Sequence, residues 1–126
     1  MKDKPDIKYF APYLQYDLKV LTKFNKIKTL KPSDLETNFI FGNFKPILRP
    51  LSDLEKEVEI NGDKFIPIEE IIPRTQMRYD RELILQHLER GNYWLLRYSA
   101  VIKLLEWHFD IFNLIKRGIG VDKNFL

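Results

Sequence analysis

Leu104-Leu-Glu-Trp-His-Phe-Asp-Ile-Phe112, LLEWHFDIF, sets a histidine between two carboxylates at alternate positions and surrounds all three with apolar side chains. As a metal or acid–base site it would make the chain an enzyme; as a core helix it would be the spine of the fold. At about 100° per residue, Lys103, Glu106, Asp110, Asn113 and Arg117 gather in one polar stripe. Val101, Ile102, Leu104, Leu105, Phe109, Ile111, Phe112, Leu114 and Ile115 fill the other side. His108 falls near the centre of the apolar arc, roughly 160–200° from Glu106 and Asp110. The three groups diverge on a helix, and a solvated charge face accounts for the two acids. The periodicity therefore predicts one long helix from Leu95 to Arg117, closed by Gly118. Leu104, Leu105, His108, Phe109, Phe112 and Ile115 are expected in the core.

A buried imidazole left without a partner costs about 1–3 kcal/mol. His108 is accordingly expected as a neutral core histidine bonded to a backbone carbonyl or a tyrosine. His87 is the only other histidine and there is no cysteine, so no metal site and no cofactor are expected.

Working upstream, Asp80 suits an N-cap, Leu83, Ile84, His87 and Leu88 share a helical face, and Gly91 suits the C′ position. Before that the period changes to two. Asp17 to Phe24 alternates like a half-buried strand, with Asn25-Lys26 as a tight turn and Ile27 to Leu30 as the return. Thr37 to Phe41 offers a third strand and Lys45 to Pro50 a fourth, which its two prolines assign to an edge. Ser52-Asp-Leu-Glu55 has the form of a capping box. Asn61-Gly62 supplies a type I′ turn that would pair Glu59 with Lys64 and Val58 with Phe65. Pro67 to Ile72 suggests one short helical turn, ended by Pro73. The fold class is α+β in one domain spanning residues 1–126, strand-rich over about 17–72 and helical over about 80–117. Its expected architecture is a small antiparallel sheet or half-barrel packed against two C-terminal helices.

The chain has 126 residues, 44% of them hydrophobic and 13% aromatic, too apolar for a disordered protein. The absence of cysteine excludes disulfides and thiolate chemistry and fits a reducing cytosol. The charged start, Met1 to Pro5, leads into no apolar stretch, so no signal peptide is expected. No run approaches the ~18 apolar residues of a membrane span. Charge is uneven: residues 1–49 carry ten Lys/Arg against five Asp/Glu, residues 50–72 two against seven, and residues 73–126 nine against six. That banding suggests local electrostatic recognition rather than a uniformly basic coat.

The glycines form no phosphate-binding pattern, and none of Ser33, Ser52 and Ser99 sits in a nucleophile elbow. A non-enzymatic protein is therefore expected. Arg74, Arg78, Arg81, Arg90 and Arg97 fall close together with Tyr93 and Trp94 interleaved, and Tyr79 among them. Arginine forks bind carboxylates and phosphates and stack on aromatics, and Trp, Tyr and Arg are the usual hot-spot residues of protein interfaces. The plain alternative is an ordinary solvated helix face with Trp94 capping the core.

Three segments carry a resemblance: Ala11-Pro-Tyr-Leu-Gln-Tyr-Asp-Leu-Lys-Val20; Lys45 to Leu54 followed by Asn61-Gly62 and Lys64 to Ile68; and Leu104 to Phe112 running on to Val121-Asp122. Together they cover about half of the chain. In them the chain resembles the small accessory proteins of phages and prophages of Bacteroidetes-type bacteria, whose corresponding opening reads APYLPYGLKV. Gln15 and Asp17 depart from that opening, and the segment from Arg74 to Tyr98 matches least. The resemblance implies a phage or prophage origin and a bacterial host cytoplasm, and no activity. It leads to an expected binding protein of the anti-CRISPR kind, an inhibitor of a bacterial defence system. Its partner would be a host protein such as a nuclease effector or ribonucleoprotein, with RNA contact, no membrane and an open oligomeric state. The alternatives are a virion or assembly component and a small hydrolase using His87 or His108.

Overall fold

The computed structural model describes residues 7–32, 44–72 and 77–126. The fold is α+β. Helix α1 (Ile7–Phe10) runs into a 3-10 turn, Ala11–Tyr16, which buries Tyr13. Strands β1 (Lys19–Thr22), β2 (Ile27–Thr29), β3 (Phe44–Leu48) and β6 (Val121–Asp122) form one sheet in the order β2-β1-β3-β6. Strands β4 (Val58–Ile60) and β5 (Asp63–Phe65) form a separate hairpin. Helices α2 (Pro67–Ile71), α3 (Met77–Glu89) and α4 (Tyr98–Glu106) complete the frame. The third predicted strand, Thr37 to Phe41, lies outside the described residues.

The β4–β5 hairpin has the register its turn chemistry predicts. Asn61 and Gly62 both have positive φ, Glu59 faces Lys64 and Val58 faces Phe65. Helix α2 begins on Pro67, whose missing N–H is an orphan at that position anyway. Ile72, the residue before Pro73, is already extended, as a pre-proline residue prefers.

Four expectations are corrected. The strand read as Asp17 to Phe24 stops at Thr22, and the turn is Lys23-Phe24-Asn25, with Asn25 left-handed. The proline-bearing strand is not an edge. Strand β3 lies between β1 and β6, and Pro46 is tolerated because β6 registers only with Ile47 and Leu48. The capping box does not close: Leu51–Glu55 is a 3-10 turn with no side-chain cap, and the buried acid is Asp53, which accepts from Asn124 Nδ2 at 3.0 Å. The sheet is also mixed rather than antiparallel, since β6 runs parallel to β3.

The long C-terminal helix is the largest correction. Helix α4 ends at Glu106 in a Schellman motif, with His108 N–H bonded to the Leu105 carbonyl and Phe109 N–H to the Leu104 carbonyl. His108 occupies the left-handed C′ position at φ 62°, where glycine is usual. Phe109 then bridges Arg49 in parallel, beyond the end of β3. Arg49 ties the crossing down: its N–H meets the His108 carbonyl, its carbonyl takes the Asp110 N–H, and its Nε donates to the Trp107 carbonyl. Asp110 starts a separate turn that Gly118 closes with a second Schellman pair. Ile119 then leads into β6, so the C-terminal tail completes the sheet. Helix α3 starts at Met77, so Asp80 lies inside it rather than at its cap.

One core collects Val20, Phe44 and Leu48 from the sheet, Leu30 just after β2, Phe10 and Tyr13 from the first turns, Leu88 and Leu104 from the helices, and Phe109, Ile111 and Leu114 from the chain after α4. Of the six predicted core residues, Leu104, Leu105 and Phe109 are buried, while His108, Phe112 and Ile115 are only partly so. The end of α3 repeats the C′ logic with Gly91 at φ 77°, its N–H on the Leu88 carbonyl and the Asn92 N–H on the His87 carbonyl. Gly91→Ala places a Cβ in a left-handed residue, so a loss of about 1 kcal/mol is expected in urea unfolding; an unchanged midpoint would refute it.

Candidate binding surface

The histidine that opened the question is tied to the backbone of the first turns. His108 Nε2 lies 2.5 Å from the Tyr16 backbone carbonyl. A carbonyl only accepts, so Nε2 carries the proton. Burial pushes the imidazole pKa below its ordinary value of 6.5, and Lys123 and Arg49 add to that shift, against the Tyr16 bond and Asp17. This is the neutral, carbonyl-bonded histidine that its apolar neighbours predict, although it stands at a helix stop. Asp110, expected on the wet face, is 4% exposed. Its two carboxylate oxygens accept the N–H groups of Leu114 at 2.8 Å and Ile115 at 2.9 Å. Burial raises its pKa from 3.8, and those two hydrogen bonds and Arg117 act the other way. Glu106 is exposed, so the two acids do not share an environment.

Tyr13 locks the same crossing. Its hydroxyl donates to the Phe109 carbonyl and accepts from the Ile111 N–H at 3.4 Å. Burial first, then the Asp110 charge, holds the phenol well above its ordinary pKa. Sequence spacing gave no sign of this partnership, because Tyr13 and Phe109 are 96 positions apart. Among the described residues no three of His, Asp and Glu gather closely enough to hold a metal ion, and no helix is long and apolar enough to cross a membrane.

The arginine cluster divides. Arg74 lies outside the described residues, and Arg78 lies in α3 with its side chain outside the description. Arg81 is half-buried and sits 3.8 Å from Glu55 Oε2, so it faces the acidic band. Arg90 at the end of α3 and Arg97 at the N-cap of α4 are exposed. Between them Tyr93–Leu95 forms a 3-10 turn. Tyr93 turns inward, its ring 5.0 Å from Phe112 and edge-on to it. Trp94 does not cap the core. It is 64% exposed, with Leu95 at 55% and Tyr98 at 80%. Residues 90–98 thus expose the indole of Trp94 and the isobutyl group of Leu95 between two arginines, and the phenol of Tyr98 next to the second. Leu95 and Tyr98 were not singled out from the sequence; their exposure follows from the break before α4.

Beside this segment lies a hollow of about 360 Å³ lined by Tyr9, Pro12, Gly91, Tyr93, Phe112 and Arg117. The Arg117 guanidinium stands 4.9 Å from the Tyr9 ring centre, and Lys8 also lines the hollow. The hollow combines the aromatic rings of Tyr9, Tyr93 and Phe112 with the cationic Lys8 and Arg117. No family model, curated protein or solved structure matches the chain.

Proposed function

We propose that the chain is a non-enzymatic binding protein that acts by covering an acidic surface of its partner with residues 90–98. Exposed Trp94 and Leu95, which lie between Arg90 and Arg97, together with exposed Tyr98 just after Arg97, carry this reading. Large apolar groups are left in water at a tight turn, where the arginines can pair with carboxylates while the rings bury against the partner. These are the residue types that dominate interface energetics. The hollow beside Tyr93 gives the partner an anchor point. In its concrete form, suggested by the resemblance to phage accessory proteins, the partner is a bacterial defence effector, a nuclease or ribonucleoprotein, blocked by occlusion in the host cytoplasm.

The test is a tagged pull-down from a Bacteroidetes-type host lysate, with and without RNase, followed by titration of the recovered partner. Trp94→Ala is expected to weaken the complex about 30-fold, as removing a hot-spot residue costs about 2 kcal/mol or more. Arg97→Glu should weaken it further at low salt than at high salt. A partner retained equally by Trp94→Ala, Tyr98→Ala and Arg97→Glu would refute this surface. Recovery of the chain alone, as an oligomer, would instead favour an assembly component.

A further inference from the structure

The β1–β2 hairpin carries a second surface that shares no residue with 90–98. Residues 17–31 hold Lys19, Lys23, Lys26, Lys28 and Lys31 against a single acid, Asp17. At the tip stands Phe24, 72% exposed, with Ile27 at 56% beside it. The alternation of β1 would send Phe24 inward; the turn sends it out. That turn is firmly closed. Thr22 N–H meets the Lys26 carbonyl at 2.8 Å, Asn25 N–H meets the Thr22 carbonyl at 3.0 Å, and Thr22 Oγ1 accepts from the N–H groups of Phe24 and Lys26. The three-residue loop with a left-handed third residue is a standard rigid hairpin closure. The phenyl ring is therefore presented on a firm backbone.

The ring borders a groove of about 380 Å³ lined by Thr22, Lys23, Phe24, Lys26, Ile27 and Phe44. Lys23 Nζ lies 5.2 Å from the Phe24 ring centre, and Lys28 Nζ 5.4 Å from that of Phe44. An exposed flat ring beside a groove rimmed by ammonium groups matches a ligand with planar apolar faces joined by anions. Single-stranded nucleic acid has that chemistry: a base stacks on the ring while flanking phosphates meet the lysines, in a sequence-tolerant way. An anionic bilayer shares the charge but asks for a convex apolar tip. Here the ring lies beside a concave groove, polar Asn25 and Lys23 share its turn, and Lys26 follows it. An acidic helix or strand would meet the charge but leave the stacking face unused.

We propose that the β1–β2 hairpin is a binding site for single-stranded RNA or DNA, with Phe24 as the stacking platform and Lys23 and Lys26 as phosphate contacts. The site does not rest on the proposed function, and the failure of either leaves the other standing.

The test is fluorescence anisotropy of the full chain with labelled single-stranded oligo(U) and oligo(dT) of about twenty nucleotides, long enough to span a site of this kind, beside a duplex of equal length. Binding is expected to prefer the single strands and to weaken as salt rises, by counterion release. Phe24→Ala should lower affinity about 10-fold, as loss of one stacked base does, with little change in the salt slope. Lys23→Glu with Lys26→Glu should flatten that slope and abolish binding at moderate salt. All three positions are exposed, and an unchanged thermal midpoint confirms an intact fold. No binding at low salt would overturn the proposal, as would equal affinity of Phe24→Ala and the native chain. A chain that binds anionic phosphatidylserine vesicles through Phe24 but no oligonucleotide would overturn it in favour of a bilayer.

Discussion

Asp110→Ala is expected to lower unfolding stability by about 2–4 kcal/mol. The loss comes from two backbone donors that both end on this one carboxylate, one of them buried and the other part-buried. Leu114 N–H and Ile115 N–H both end on the Asp110 carboxylate, Leu114 is buried, and each unsatisfied buried group costs about 1–3 kcal/mol. The turn they hold carries Leu114 into the core and Ile119 into the approach to β6. Amide exchange at Leu114 and Ile115 should therefore accelerate together with the fall in the urea midpoint. Asp110→Asn keeps one acceptor and should lose about half as much. The charge adds a pH signature. The folded carboxyl has a raised pKa, chiefly from burial, so the linked stability is present below 3.8 and is lost as pH rises through the folded value. Asp110→Asn should remove that acid-side gain. A change within about 0.5 kcal/mol for Asp110→Ala, the range of an ordinary surface substitution, would show that the turn does not depend on this carboxylate.

Asp110 also shows why the fold was only partly legible. A helical wheel sorts residues by a fixed angle and cannot register where the helix stops. Leu104, Leu105, Phe109, Ile111 and Leu114 were assigned inward and are buried, because hydrophobicity places them in the core whatever the backbone does. Asp110 was assigned to water because an acid belongs there unless its neighbours supply donors, and those donors appear only once the helix has ended. The stop itself carries no glycine or proline. Its cause is non-local: Arg49 offers both an N–H and a carbonyl to the chain leaving α4, and Tyr13 takes up the Phe109 carbonyl. Where the determinants are local, the sequence was a sufficient guide. Asn61-Gly62 set the β4–β5 register, and Gly91 and Gly118 closed their turns in place.

The surfaces follow the same division. The richness of residues 74–97 in Arg, Tyr and Trp was visible, but not which rings would turn inward. Tyr93 packs on Phe112 and Trp94 does not, a choice made by the phase of the 3-10 turn before α4. Phe24 was hidden for the opposite reason. Period-two reading extended β1 through it, whereas Thr22 closes the hairpin first.

Substitutions at His108 are expected to rank by backbone strain rather than by side-chain size. At φ 62° any residue with a Cβ is strained by about 1–2 kcal/mol, and a β-branched one more so. His108→Val also removes the bond to the Tyr16 carbonyl, worth about 0.5–1.5 kcal/mol, so its loss should reach about 2–3 kcal/mol. His108→Gly removes the same bond and more contact area but relieves the backbone, and should cost no more than about 1 kcal/mol; His108→Ala should fall between. If valine proves no worse than glycine, backbone strain at position 108 does not govern these substitutions. Protonation supplies an independent check. The folded imidazole pKa lies below 6.5, with burial the first cause, so the neutral side chain stabilises the fold above 6.5. That contribution drains away as pH falls from 6.5 through the folded value, opposite in sign to the Asp110 effect. The native urea midpoint should therefore slope downward just below pH 6.5, and the slope should flatten in His108→Gly. An equal slope in both proteins would assign that part of the pH dependence elsewhere.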